Sequence, residues 1–287
     1  MTLAFIITAG EIVTPKRLEY GANLRRFRAE PKNSIDAVFM GSSVMYCGVV
    51  PDIITERTGK SAYLLTGPEQ TFPITYAYME EMYKTQTPKT VYLEMSAIIF
   101  EDYYENSNKI NIMYMPMSWN RIKLAFTDAR SEDLMSIFLP IVPYHSRWSK
   151  LDDWDFDIGL RGYERDSLKG FMPLDITVPM TDIVEYGDLE TAKRNVEWLL
   201  KMNELAEKHG TKLVYLYLPR PNRVSREITT YVEDFLKESG IDAAYGMNSI
   251  FEALELDMES DFLDGMHLNI TGAKKVSNYL AEKVNQD

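Results

Sequence analysis

Two short stretches at opposite ends of the 287-residue chain carry residue types that could do acyl chemistry together: Gly41-Ser42-Ser43 and Asp264-Gly265-Met266-His267. A serine hydroxyl is a weak nucleophile until an adjacent base takes its proton. A histidine three residues after an aspartate can supply that base. One ring nitrogen accepts the serine proton, and the other donates to the carboxylate, which fixes the tautomer and stabilises the imidazolium. Ser43 is therefore the candidate nucleophile, His267 the base and Asp264 its orienting group. Each motif alone is common, because small residues fill turns and Asp-x-x-His pairs serve as loop hydrogen bonds. Their meaning depends on a fold that brings the two ends together.

The pattern between them predicts such a fold. Ile35 to Met40 is a mostly apolar run, short enough for a buried strand, and the glycine and serines that follow form a tight turn. Pro51 suits the first turn of a short helix over 52–57, closed by Gly59. Ser61–Thr66 reads as a second strand that stops at Gly67-Pro68. A helix from Pro73 to about Thr85 and a strand over Thr90–Met95 follow, so the order is strand, helix, strand, helix, strand. That order argues for right-handed βαβ units and a parallel sheet, whose ligands bind at the carboxyl ends of the strands. The rhythm resumes with a long helix over 189–208 capped by Asp188, a strand over 212–218, a helix over 226–238, a short strand over 241–245 and a last helix over 271–285 capped by Asn269. The apolar face of that last helix is Ala273, Val276, Leu280 and Val284.

Between 96 and 187 the rhythm breaks into a Tyr-, Met- and Trp-rich stretch with an amphipathic run over 119–138. It reads as a helical or irregular insertion over the carboxyl edge of the sheet, where lids and substrate walls belong. The acidic run 152–157 lacks the spacing of a calcium loop and reads as a solvated loop. The expected organisation is a lead-in over 1–34 and a single domain over 35–287.

Composition narrows the function classes. The formal net charge of −12 repels nucleic acid and anionic surfaces on average, so no nucleic-acid partner is expected. Lys16-Arg17 and Arg25-Arg26-Phe27-Arg28 are the candidate basic patches, read as solvated helix faces. The single cysteine, Cys47, permits no intrachain disulfide and no Cys-based zinc site, and its apolar setting reads as a packed thiol. The apolar run 3–9 is too short to span a membrane. It reads equally as the tail of an anchor that begins upstream or as a segment packed on the domain. Of three histidines, His209 falls at a helix end and His145 in the insertion, where packing is weighed against a substrate contact.

These residues resemble the SGNH/GDSL hydrolase superfamily. Gly41-Ser42-Ser43 looks like its Gly-Asp-Ser first block, with Ser42 at the aspartate position, and Asp264-Gly265-Met266-His267 looks like its last block. Gly67 resembles the second-block glycine, whose N–H joins that of the nucleophile in the oxyanion hole. The likeness covers about residues 35–95 and 189–285. Val50-Pro51 and Pro88-Lys89 look closest to envelope-associated Gram-positive members, similar to D-alanyl transfer and polysaccharide O-acetylation proteins. The third-block asparagine is missing: the third strand ends Glu94-Met95-Ser96-Ala97, so Ser96 or a backbone N–H substitutes, or the hole has two donors.

The resemblance implies a flavodoxin-like three-layer α/β/α sandwich and a serine esterase or O-acyltransferase. Its substrate would be an acyl ester or an acetylated envelope carbohydrate or polymer. Ser42, Gln70, Glu94, Ser96 and His145 are candidate substrate contacts. No metal or cofactor is required by serine chemistry. An extracytoplasmic, membrane-associated location is expected, with possible membrane association through the N-terminus; a cytoplasmic location is the alternative. A polyanionic polymer substrate would call for a local basic groove. The competing class is a catalytically weak or inactive binding scaffold of the envelope, favoured by the missing asparagine. A flavodoxin-like cofactor binder fits poorly, because Gly41-Ser42-Ser43 matches neither phosphate-cradling motif. The G-x-S-x-G elbow of α/β-hydrolases also fails, since Met45 stands at its second glycine.

Overall fold

Strand β1 (Ala37–Gly41) is buried at every position, which explains why its sequence is continuously apolar rather than alternating. In the computed structural model, which describes residues 2–16, 23–159, 168–241, 254 and 256–286, it lies inside a four-stranded parallel sheet. Its neighbours are β2 (Ala62–Thr66) and β3 (Thr90–Glu94), and β3 pairs in turn with β5 (Lys212–Leu216). The strand order is β2-β1-β3-β5. The chain winds outward from β1 to β2 and then crosses back to β3. The carboxyl ends of β1 and β3 therefore border the crevice where open parallel sheets place ligands.

Alternate side chains of these strands face two different helical layers. Val38, Met40, Val91, Leu93 and Tyr215 point toward α5 (Phe72–Met82), α10 (Leu189–Asn195), α11 (Glu197–Lys208) and α12 (Arg226–Glu238). Ala37, Phe39, Tyr92 and Leu216 point toward α3 (Ser43–Gly48), α4 (Pro51–Thr58) and the C-terminal helix α13 (Ile270–Gln286). The predicted apolar stripe of α13 is the buried one, Ala273, Val276, Leu280 and Val284. The fold is mixed α/β with a mainly parallel sheet, as the strand–helix rhythm implied, and its three layers are those the family resemblance implied.

Several boundaries differ for physical reasons. The single helix expected over 189–208 is two helices meeting at Val196. Leu199 N–H bonds to Val196 O, a tightened three-residue step, and the Asn195 amide is drawn off the helix to donate to Ile98 O and Phe100 O. The amphipathic run 119–138 divides into α7 (Trp119–Thr127) and α8 (Leu134–Phe138). The 96–187 stretch also contains α6 (Glu105–Met113), α9 (Ile141–Tyr144) and, against the expectation of a purely helical or irregular segment, the strand β4 (Val184–Tyr186). Strand β4 pairs in parallel with β6 (Asn222–Val224). Its side chains are largely exposed, so it carries no hydrophobic alternation to read. A Glu185–Arg223 ion pair at 3.0 Å crosses it instead. The strand expected over 241–245 falls, beyond Ile241, outside the described residues.

The N-terminal segment forms α1 (Thr2–Val13), and residues of the polar lead-in form α2 (Asn23–Ala29). Arg17 lies outside the described residues, and the described members of the basic patches do not form solvated faces. Arg25 is buried and paired with Glu11, and buried Lys16 donates to the carbonyls of Glu11 and Asp155. Among the described residues, no helix is long and apolar enough to cross a membrane. In the acidic run, Asp152 caps a 3-10 turn and Asp155 pairs with Arg147.

Gly41 makes the β1–β3 edge possible. Its φ of 151° is one that side chains avoid, and an added Cβ would lie 2.9 Å from Glu94 Cβ. Gly41→Ala should destabilise the fold by about 1–3 kcal/mol through overpacking, beyond its backbone strain. Gly59→Ala, with φ 70° and open space around the new methyl, should lose about 1 kcal/mol. Urea midpoints of the two variants test that order.

Candidate active site

Ser43 is placed by the tight exit from β1. Ser42 adopts extended backbone (φ −95°, ψ −157°), and its carbonyl accepts the N–H groups of Met45 and Tyr46, which starts α3. Ser43 is the first residue of that helix, where backbone N–H groups have no intrahelical acceptor. Val44, Met45 and Cys47 pack into the core beneath it and lock the turn. Cys47 is a buried core thiol whose pKa burial raises to about 12, so it is no competing nucleophile.

His267 is placed by a short hairpin before α13. Phe262 and Leu268 form an antiparallel bridge, and both side chains are buried. Leu263 N–H bonds to His267 O at 3.0 Å, closing the loop that carries Asp264 and His267. Asn222, beyond the end of β5, donates its N–H to Gly265 O at 2.7 Å. The Asn222 side chain packs so close that a Cβ on Gly265 would lie 2.4 Å from its amide nitrogen. Asn269 then accepts the N–H groups of Thr271 and Gly272, the cap expected from the sequence.

The two ends meet. Ser43 Oγ lies 2.8 Å from His267 Nε2, and His267 Nδ1 lies 3.0 Å from both carboxylate oxygens of Asp264. The ionised carboxylate can only accept, so Nδ1 carries the proton and Nε2 is left to accept from Ser43. Asp264 also accepts the N–H groups of Met266 at 2.7 Å and His267 at 2.8 Å. Burial works to raise the Asp264 pKa. The hydrogen bonds from His267 and the Met266 N–H overcome it and hold the carboxyl below its ordinary value. The arrangement can take a proton from Ser43 and hold the resulting positive charge.

The other candidates are placed less uniformly. Gly67 follows β2, and the register of Gly41 with Thr66 sets Gly67 beside the Ser42-Ser43 turn on the neighbouring strand exit. A Cβ on Gly67 would lie 2.1 Å from Asn111 Oδ1 and 3.0 Å from Gln70 Oε1. Those two amide oxygens are buried and have no hydrogen-bond partner among the described residues, as is also true of Ser42 Oγ. Asn111, from α6, went unnoticed in the sequence because nothing near it marks a motif; only the tertiary packing brings it to Gly67. Glu94 and Ser96 are buried and bound to each other. The Ser96 hydroxyl and N–H both go to the Glu94 carboxylate, so neither is free to replace the missing oxyanion donor.

Burial raises the Glu94 pKa, with Arg220 and the Ser96 hydrogen bonds opposing. Arg220, a second residue the sequence did not flag, is fully buried just past β5. Its guanidinium lies 6.0 Å from the Tyr186 ring, whose hydroxyl reaches Met266 in the histidine loop. His145 is not brought to Ser43. It is exposed on a 3-10 turn packed against α1, and its ring bonds to Val142 O at 2.8 Å. His209 stacks on Tyr83 at a centroid distance of 3.9 Å.

Comparison with known proteins finds no family model that matches this chain and no curated protein similar to it.

The lowered Asp264 pKa has a signed consequence. A carboxyl held below its unfolded value contributes stability above that value and loses it as pH falls through the folded one. The stability gap between wild type and Asp264→Asn should therefore shrink as pH falls below the ordinary 3.8. Urea midpoints on either side of that value test the sign.

Proposed function

We propose that this chain is a serine-dependent acyl ester hydrolase or O-acyltransferase of the SGNH/GDSL type. The observation that carries the reading is the continuous hydrogen-bonded relay Ser43–His267–Asp264, held at the carboxyl edge of a parallel sheet. Ser43 Oγ attacks the ester carbonyl while His267 Nε2 takes its proton. The tetrahedral oxyanion is met by the N–H groups of Ser43 and Gly67. Collapse expels the alcohol, which receives the proton from His267, and leaves Ser43 acylated. Water then gives hydrolysis, and a sugar or polyol hydroxyl gives transfer. Asp264 stays ionised and keeps the imidazole in the productive tautomer.

The natural substrate on this reading is an acylated carbohydrate or polymer of the cell envelope, acted on by a membrane-associated protein. The support for that part is the resemblance of the flanking motifs. A catalytically weak scaffold is the second reading, favoured by the engagement of both Ser96 donors with Glu94. Loss of one oxyanion donor costs about 10²–10³ in rate.

Hydrolysis of p-nitrophenyl acetate separates the two. Ser43→Ala and His267→Ala should each lower kcat by about 10³-fold or more. Ser42→Ala should stay within about tenfold of wild type, because the Ser42 hydroxyl takes no part in the relay. Equal activity in wild type and Ser43→Ala would leave the scaffold reading.

A further inference from the structure

A second cavity, separate from the Ser43 site, has a chemistry of its own. It lies among α1, α2 and the segments following α6 and α8, with a volume of about 440 Å³, within the usual range of small-molecule sites. Its walls are apolar: Ile6, Ile7, Met117, Phe138, Leu139 and Ile158. Four charged residues also line it, Glu11, Arg25, Arg28 and Arg121.

The charges do not cancel. Glu11 is taken up by Arg25, at 3.0 and 3.2 Å. Arg121 is buried, and its two terminal nitrogens donate to the backbone carbonyls of Met115 and Ile137, which supply no negative charge. Its Nε, like that of Arg28, is buried with no hydrogen-bond partner among the described residues. Burial and the neighbouring Arg25 lower the Arg121 pKa to about 10, so it remains a cation at neutral pH. Among the described residues, the two guanidinium groups of Arg28 and Arg121 are thus left without a carboxylate partner in a largely apolar cavity, an arrangement that is costly unless an anion completes it. The chain as a whole is strongly acidic, so composition alone does not produce such a concentration of positive charge.

Three of the apolar residues lie toward solvent and Arg121 toward the interior, with Arg28 half-buried between them. Ile7, Met117 and Ile158 are 56%, 64% and 51% exposed, whereas Arg121 is 3% exposed. We propose that this cavity binds an amphiphile with a single anionic head, a carboxylate or phosphate held by Arg28 and Arg121, with its alkyl chain lying along Ile6, Phe138 and Leu139. A free fatty acid and an anionic membrane lipid share that chemistry. The exposed apolar rim, continued by Phe5 on the same helix, would rest against acyl chains in the second case.

Calorimetric titration of the whole protein with monomeric dodecanoate and with dodecanol tests the proposal. Saturable binding of one dodecanoate is expected, about tenfold or more tighter than dodecanol. Arg28→Gln and Met117→Asp should each weaken dodecanoate binding by about tenfold while the thermal midpoint stays near that of wild type. These two are chosen because Arg121 also holds backbone carbonyls and its loss could unfold the region. Equal binding of acid and alcohol, no saturable binding, or unchanged binding in both folded variants would overturn the proposal. Sedimentation with phosphatidylcholine vesicles that contain phosphatidylglycerol, but not with phosphatidylcholine alone, and its loss in Met117→Asp, would support it with membrane lipid as the source. Dodecanoate binding without sedimentation would support it with the free amphiphile as the source.

Discussion

The hydrogen bond between Ser43 Oγ and His267 Nε2, 2.8 Å long, joins residues 224 positions apart, and the rest of the fold can be understood as what holds its two ends. On one side β1 must stop and turn within two residues, which Gly41 allows by taking a backbone conformation open to glycine while lying against Glu94. On the other side the five-residue loop between Phe262 and Leu268 must present an imidazole at a fixed height over the sheet. The buried pair Phe262 and Leu268 fixes its base, and the Asn222 N–H fixes its tip at Gly265. Helix α13 packs on α3 and α4, so the helix that follows the base and the helix that bears the nucleophile belong to one layer. A relative shift of about 1 Å between them would break the relay, and that sensitivity explains why each end is tied by several weak bonds.

Polar groups concentrate where the chain leaves the sheet. Glu94, Ser96 and Arg220 are all buried around the ends of β3 and β5, and Gln70 and Asn111 are buried around Gly67. Burying such groups is expensive, and a stable core would avoid it. Glu94 is partly compensated by the Ser96 hydrogen bonds and by the Arg220 charge. The unpartnered amide oxygens of Gln70 and Asn111 are not compensated within the described residues. Strain and unmet polarity of this kind collect at functional edges of folds rather than in their structural cores.

The sheet was legible in the sequence because its strands are short apolar runs ended by Gly41, Gly67-Pro68 and Pro219, punctuation that depends only on local backbone chemistry. The relay was legible because Ser43, Asp264 and His267 are the residue types that proton transfer from a hydroxyl requires, and few histidines compete. What was not legible depended on distant partners. Val196 interrupts a helix because the adjacent Asn195 bonds to carbonyls nearly a hundred residues away. Strand β4 is held by an ion pair and a parallel partner, with no periodicity to betray it. The arginines of α2 read as a solvated face, because their neighbours Glu11 and Arg121 come from elements that sequence order keeps apart. His145 shows the reverse: a histidine in a stretch expected to cover the site was a reasonable candidate, but its segment packs on α1.

The most direct test of the account is covalent labelling with a fluorophosphonate, read by intact mass and peptide mapping. A phosphonylating electrophile of this kind reacts with a serine, by attack of Oγ on phosphorus and loss of fluoride, only where a base activates it. The relay predicts one adduct per chain, on Ser43, and none in His267→Ala that remains folded. A folded wild-type protein that takes up no label, or takes it up on a different residue, would contradict it.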